Sequence, residues 1–218
     1  MFTTSIKDTF SFFKAHWWVL ALISMPLVLL SEVIKYWVGP TPVDNTSVNV
    51  FLVYLAEIIL VLSVLQIAVI LYIDSAVNGS RISVFDSWSM GINRLVPFVG
   101  LSMLTIVPVA LGLILLVIPG VIVMVRLMLA PYIFLLEGLG AKASLTASWE
   151  RTKGHFGDLV MGAIVIMLPI TLLSRFFVDS DEMLTSSIKV AMVASIETFF
   201  GLLLSVYVYR IYCLIKVK

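Results

Sequence analysis

The sequence predicts an all-α integral membrane protein with six transmembrane helices arranged as three hairpins, each preceded by a cytoplasmic amphipathic interfacial helix. Three observations carry that expectation. Of 218 residues, 61% are hydrophobic and 12% are charged, with a mean hydropathy of +1.12. A soluble domain carries about 25% charged residues, so this chain cannot cover itself with a polar surface. Six apolar runs approach the roughly 20 residues that a helix needs to cross a bilayer. A six-residue phrase recurs three times, each copy just ahead of an apolar run, and internal repetition marks a chain built from units.

The elements follow in order as one membrane domain, 1–218, with units of approximately 1–73, 74–136 and 137–218. The first phrase is Ser5-Ile6-Lys7-Asp8-Thr9-Phe10, inside an amphipathic stretch of sixteen residues. No small-residue cleavage site follows, so the run 17–38 is expected to be a retained anchor and not a cleaved signal peptide. The second run covers 50–73. The second phrase, Ser83-Val84-Phe85-Asp86-Ser87-Trp88, precedes the run 95–118. Pro119-Gly120 is a strong turn signal, so the run 121–136 is expected to return antiparallel to its predecessor. The third phrase, Ser144-Leu145-Thr146-Ala147-Ser148-Trp149, precedes the runs 158–178 and 188–209.

Each phrase opens with Ser, a favoured N-cap. Asp8 and Asp86 stand three residues on, where an acid complements the helix dipole; Ala147 makes the third cap weaker. The positions Ile6, Phe10, Phe13, Trp17 and their equivalents Val84, Trp88, Gly91, Leu95 and Leu145, Trp149, Thr152, Phe156 form one helical stripe. His16, Arg94 and His155 stand just before the membrane each time. Phe10, Trp88 and Trp149 are therefore expected as interfacial anchors at headgroup depth. Pro108 and Pro169 recur at the same offset from their phrases. A unit of two spans returns the chain to its starting side, so any symmetry axis runs along the membrane normal.

Orientation follows from the basic residues. Lys7, Lys14, Arg81, Arg94, Lys142, Arg151, Lys153, Arg210, Lys216 and Lys218 fall on one side, against Lys35, Arg175 and Lys189 on the other. The positive-inside rule puts both termini in the cytoplasm. The loops opposite are 39–49, the Pro-Gly turn and the acidic Asp179-Ser180-Asp181-Glu182. A net charge of +1 argues against a nucleic-acid partner, which needs a clustered basic excess. A single cysteine, Cys213, excludes an internal disulfide framework and a multi-Cys metal site.

Ionisable residues inside spans are functional candidates by default. Glu57, Arg126 and Glu197 each lie on the second helix of their unit, six to eight residues from its outer end, roughly 10 Å at 1.5 Å per residue. A Glu57–Arg126–Glu197 cluster inside the bundle is therefore compatible with the register, with Gln66 deeper on the opposite face of its helix. Such a cluster serves either as a coupling or headgroup-binding site or as a static ion pair that fixes packing. Gly100, Gly112, Gly162 and Gly201 offer close helix approach, and Pro26, Pro108 and Pro169 offer kinks. No metalloprotease, hydrolase or phosphate-loop motif is present, so neither a metal nor a cofactor is expected, and no catalytic residue.

The stretch 118–156 carries Pro119-Gly120, Arg126, Leu129-Ala130-Pro131, Glu137 and Ser148-Trp149-x-x-Thr152-Lys153-Gly154. In these motifs the chain resembles the YciC-like bacterial inner-membrane proteins, a group related to the membrane domain attached to some glycerophosphodiester phosphodiesterases. The resemblance implies a bacterial inner membrane and a stand-alone module, and no phosphodiesterase domain accompanies it here. The expected function is a non-enzymatic role in envelope organisation or homeostasis, through membrane lipids, protein partners or a homo-oligomer. The alternative is a small transporter or lipid-handling carrier using Glu57, Arg126 and Glu197.

Overall fold

The computed structural model describes residues 2–38, 48–80, 82–178 and 183–216. Side chains are described throughout these except at 35, 36, 38, 48–55, 57, 58, 173–178, 183–192 and 194. The described residues are helical with short joints: α1 (Phe2–Val38), α2 (Val48–Val77), α3 (Val84–Asn93), α4 (Leu95–Leu115), α5 (Val117–Leu127), α6 (Ala130–Glu137), α7 (Ala141–Arg151), a 3-10 turn (Thr152–Gly154), α8 (Phe156–Val178) and α9 (Met183–Lys216). Five stretches are long and apolar enough to cross a membrane, and a sixth counts if α7 and α8 are one bent span. The expected loops 39–49 and 179–182 fall outside the described residues, apart from the first residues of α2.

The apolar surface is what a bilayer would cover. At the α4–α5 tip, Ile114 is 80% exposed and Ile118 is 75% exposed. Exposed aliphatic side chains in such numbers are untenable in water but cost nothing against lipid tails. The core is a layer where Ile67, Ile70 and Ile73 of α2, Phe98 and Leu101 of α4, Leu129 and Ile133, Leu159 of α8 and Tyr207 and Ile211 of α9 meet, each essentially sealed. Helix α1 packs on α2 and on α9, α4 on α5 and α2, and α8 on α9 and α5, so the last helix closes onto the first.

Several sequence expectations need correction. The Pro-Gly pair is not the turn between the third and fourth spans. The chain breaks at Leu116, which is extended (φ −161°, ψ 139°), and Pro119 and Gly120 lie in the first turns of α5. Proline is tolerated there because the first N–H groups of a helix have no intrahelical acceptor. Gly120 serves close packing instead: a Cβ on Gly112 would lie 2.8 Å from Gly120 Cα, and one on Gly120 would lie 2.5 Å from Leu113 N. Gly162 likewise abuts the Tyr207 ring, whereas Gly100 and Gly201 have open space around them.

The first lead-in helix is not a separate element, since α1 runs without interruption from Phe2 to Val38. Nor do all three phrases cap a helix. Ser83 does: its hydroxyl accepts from Asp86 N at 3.1 Å, and Ser83 N donates to the Asp86 carboxylate at 3.3 Å. Ser5 lies inside α1, and Ser144 lies inside α7, whose N-cap is Gly140. The phrases share something else. The hydroxyl residue at their fifth position, Thr9, Ser87 or Ser148, is buried in every copy.

Candidate functional site

The family-like stretch folds into one local unit. Gly138 adopts a left-handed conformation (φ 69°) and turns the chain from α6 towards α7. Helix α7 then lays a face of small hydroxyl residues, Ser144, Ser148 and Thr152, against α5 and α6, all three fully buried. Ser148 Oγ donates to the Arg126 carbonyl at 2.7 Å, and Thr152 Oγ1 reaches the same oxygen at 3.4 Å. Short hydroxyl side chains let the backbones approach while satisfying a carbonyl at a helix end that lacks an intrahelical donor. At the far side of α7, Arg151 grips Glu137 with both nitrogens, at 2.5 and 2.9 Å, and Tyr212 adds a hydroxyl donor at 3.2 Å. The Arg–carboxylate fork is the strong, orienting form of an ion pair.

Further tyrosines tie this end of the bundle together. Tyr132 OH donates to the Ser205 carbonyl at 2.9 Å, Tyr207 OH to the Asp158 carbonyl at 2.7 Å, and Tyr209 OH to the Asp74 carboxylate at 2.9 Å. Arg210 pairs with Asp8 of α1 at 2.9 Å. Helices α1, α2, α6 and α8 are thus each linked to α9 by a side-chain hydrogen bond or an ion pair. Each such hydrogen bond contributes about 1 kcal/mol net, so their combined effect is rigidity more than bulk stability.

The proposed intramembrane cluster fares differently. The side chain of Glu57 lies outside the described residues. Glu197 is exposed on α9 and makes no ion pair with Arg126. The Arg126 guanidinium turns to α7 and α8, with its central carbon 5.7 Å from the Trp149 ring centroid and 5.3 Å from that of Phe156. Among the described residues it makes no ion pair, and its Nη1 is buried without a hydrogen-bond partner. Gln66 is exposed and lines a cavity of about 320 Å³ between α2, α4 and α5, beside Ser63, Ser102 and Thr105. The last two hydroxyls already donate to the carbonyls of Phe98 and Leu101. Among the described residues no group of three or more His, Cys, Asp or Glu could hold a metal ion.

Of the expected anchors, Phe10 is 51% and Trp149 is 38% exposed. Trp88 is half-buried and donates its indole N–H to the Ile23 carbonyl at 3.1 Å. The sequence reading passed over Tyr132, Tyr207, Tyr209, Tyr212, Asp74 and Arg151 as site residues. The Ser144–Ser148–Thr152 stripe at i, i+4, i+8 was the legible signal of the α7 contact, although Ala141, Ala143, Thr146 and Ala147 in the same helix dilute it.

A family model described as Uncharacterised protein family (UPF0259) matches residues 44–214. UPF0259 membrane proteins from Yersinia pestis strain Pestoides F and Yersinia pseudotuberculosis serotype O:3 strain YPIII are each 25% identical over 139 residues. That alignment covers 64% of this chain and 54% of the relative, so the chain spans about half the length of the curated relatives it matches. No solved structure matches.

Proposed function

Because the chain belongs to the uncharacterised protein family UPF0259, whose curated relatives are named membrane proteins, we propose that it is a non-enzymatic multi-pass protein of the bacterial inner membrane that works through lipid and protein contacts. Both termini face the cytoplasm in this reading, on the strength of the basic-residue bias. The three units of the sequence are three hairpins, and the lead-in segments lie at the cytoplasmic face. The 92° bend between α7 and α8 supports that placement, since a helix perpendicular to a spanning helix runs in the membrane plane.

One observation carries the reading: α9 is bound by hydrogen bonds and ion pairs to α1, α2, α6 and α8 at the end that holds the charges. Alternating access needs one set of helices to rock against another around a polar midplane site. Here the polar groups are spent on fixing helices to one another, which favours a static scaffold over the carrier reading built on Glu57, Arg126 and Glu197.

The test is proton flux into liposomes loaded with a pH-sensitive dye and carrying the purified chain. The expected flux equals that of empty liposomes, for the native chain and for Glu197→Gln alike. Flux above the empty control that Glu197→Gln or Glu57→Gln abolishes, in protein that still inserts normally, overturns the scaffold in favour of the carrier.

A further inference from the structure

Among the described residues, two buried side-chain polar atoms lack any hydrogen-bond partner: Arg126 Nη1 and His155 Nδ1. Arg126 meets the elbow where α7 passes through its 3-10 turn into α8, and His155 is the residue between that turn and α8. His155 is the hinge residue of that elbow, and the neighbouring Phe156 supports the Arg126 guanidinium from one side while Trp149 flanks it from another.

Among the described residues no acid pairs with Arg126, and those of α6 to α8 have other partners. Glu137 is held by Arg151, Glu150 by Lys153, and the Asp158 carboxylate lies 3.6 Å from His155 Nδ1. The hydroxyls of Ser148 and Thr152 donate to the Arg126 backbone carbonyl, and neither accepts from its Nη1. Aromatic faces offset part of the cost of desolvating a guanidinium. They leave the buried Nη1 without an acceptor, and a buried charged donor without an acceptor carries a desolvation cost that ring faces do not cancel. The geometry of a guanidinium fits an oxyanion, which it takes through two parallel hydrogen bonds. Trp149 is 38% exposed, so the wall of the site reaches the surface of the bundle.

We propose that the α5–α7–α8 elbow binds a phosphate group, held by the free Nη1 of Arg126 with Trp149 and Phe156 as apolar walls. A phospholipid headgroup and free phosphate share that chemistry. The proposal rests on the lipid-contact reading only for its lipid source. Trp149 is the exposed wall, so the anion enters from its side.

The experiment titrates the purified, detergent-solubilised chain with phosphatidylglycerol, with diacylglycerol, which lacks the phosphate, and with inorganic phosphate, read by native mass spectrometry. Native protein is expected to bind phosphatidylglycerol in preference to diacylglycerol. Arg126→Gln is expected to weaken that binding about tenfold or more, as loss of a charge-assisted contact does. Arg126→Lys should weaken it less, because the point charge remains while the fork is lost. Thermal unfolding checks that Arg126→Gln folds; if it does not accumulate, Arg126→Lys carries the test, with a smaller loss expected. Competition by inorganic phosphate identifies the free ion as sufficient, and lack of competition identifies the lipid as the ligand. Affinity for phosphatidylglycerol unmoved by Arg126→Gln in folded protein, or equal affinity for diacylglycerol, overturns the site and leaves the scaffold reading standing. Uptake of phosphate that depends on Arg126, with no lipid bound, overturns the lipid contact and leaves the site standing.

Discussion

A Cβ added at Gly162 would run into the Tyr207 ring, whose hydroxyl bonds the Asp158 carbonyl one turn earlier on the same helix. Both partners are fixed, so the ring cannot swing aside without losing that bond. Gly162→Ala is therefore expected to lower stability by about 1–3 kcal/mol, the usual cost of overpacking, while Tyr207→Phe should cost about 1 kcal/mol. Thermal unfolding in detergent separates the two, with the larger fall for Gly162→Ala. Glu137→Gln should also destabilise, because it breaks the Arg151 fork and weakens the Tyr212 bond; about 1–3 kcal/mol is expected for a partly exposed pair with charge-assisted bonds. At this scale the sequence was only partly legible. Arg126 stood out as an ion within an apolar run, yet its surroundings did not. Its neighbours Trp149 and Phe156 lie more than twenty residues away, and spacing on one helix says nothing about them. The tyrosines were invisible for a different reason: an apolar ring with one polar tip reads as ordinary membrane filling until its hydroxyl partner is located.

Among the elements, α3 and the α4–α5 joint show what local signals do and do not decide. Ser83 and Asp86 form a reciprocal capping box, so the second phrase was read correctly from its spelling. Ser83→Ala is expected to cost about 1 kcal/mol and to speed amide hydrogen exchange in the first turn of α3. The equivalent change at Ser5, inside α1, should leave exchange near residues 5–9 unaffected by any loss of a cap. The same spelling fails at Ser5 and Ser144 because the helix begins earlier in both copies, and a serine in a helix interior bonds backward or packs instead. Pro119-Gly120 misled for a related reason, since proline stops a helix from its interior but is at home in the first turn. The chain turns at Leu116, which carries no turn signature, because the Gly112–Gly120 approach fixes where the two helices can meet. Gly120→Val should push α4 and α5 apart, with loss of folded protein seen as reduced membrane accumulation.

For the whole molecule, an all-helical chain with several apolar helices long enough to span a membrane was legible from hydropathy, whereas closure of α9 onto α1 was not. That contact joins residues some 190 positions apart in the chain, as between Phe13 and Phe199, whose rings meet edge to face at 5.2 Å. A double-mutant cycle of Phe13→Ala and Phe199→Ala should show a coupling of about 0.5–1.5 kcal/mol; additive losses would mean that the two ends of the chain do not meet. In packing terms, the start of α1 lies on α9, α3 lies on α2, and α7 lies on α5 and α6. Each phrase thus lies in a segment packed on another helix, and its fifth residue, Thr9, Ser87 or Ser148, is buried. On the function proposed above, a bundle closed by α9 on α1 and pinned by tyrosines at its charged end presents a fixed surface to lipid. Native mass spectrometry of the chain purified from membranes tests that central claim most directly. The account predicts protein that emerges with phospholipid still attached at low collision energy; protein that emerges bare at every collision energy would contradict it.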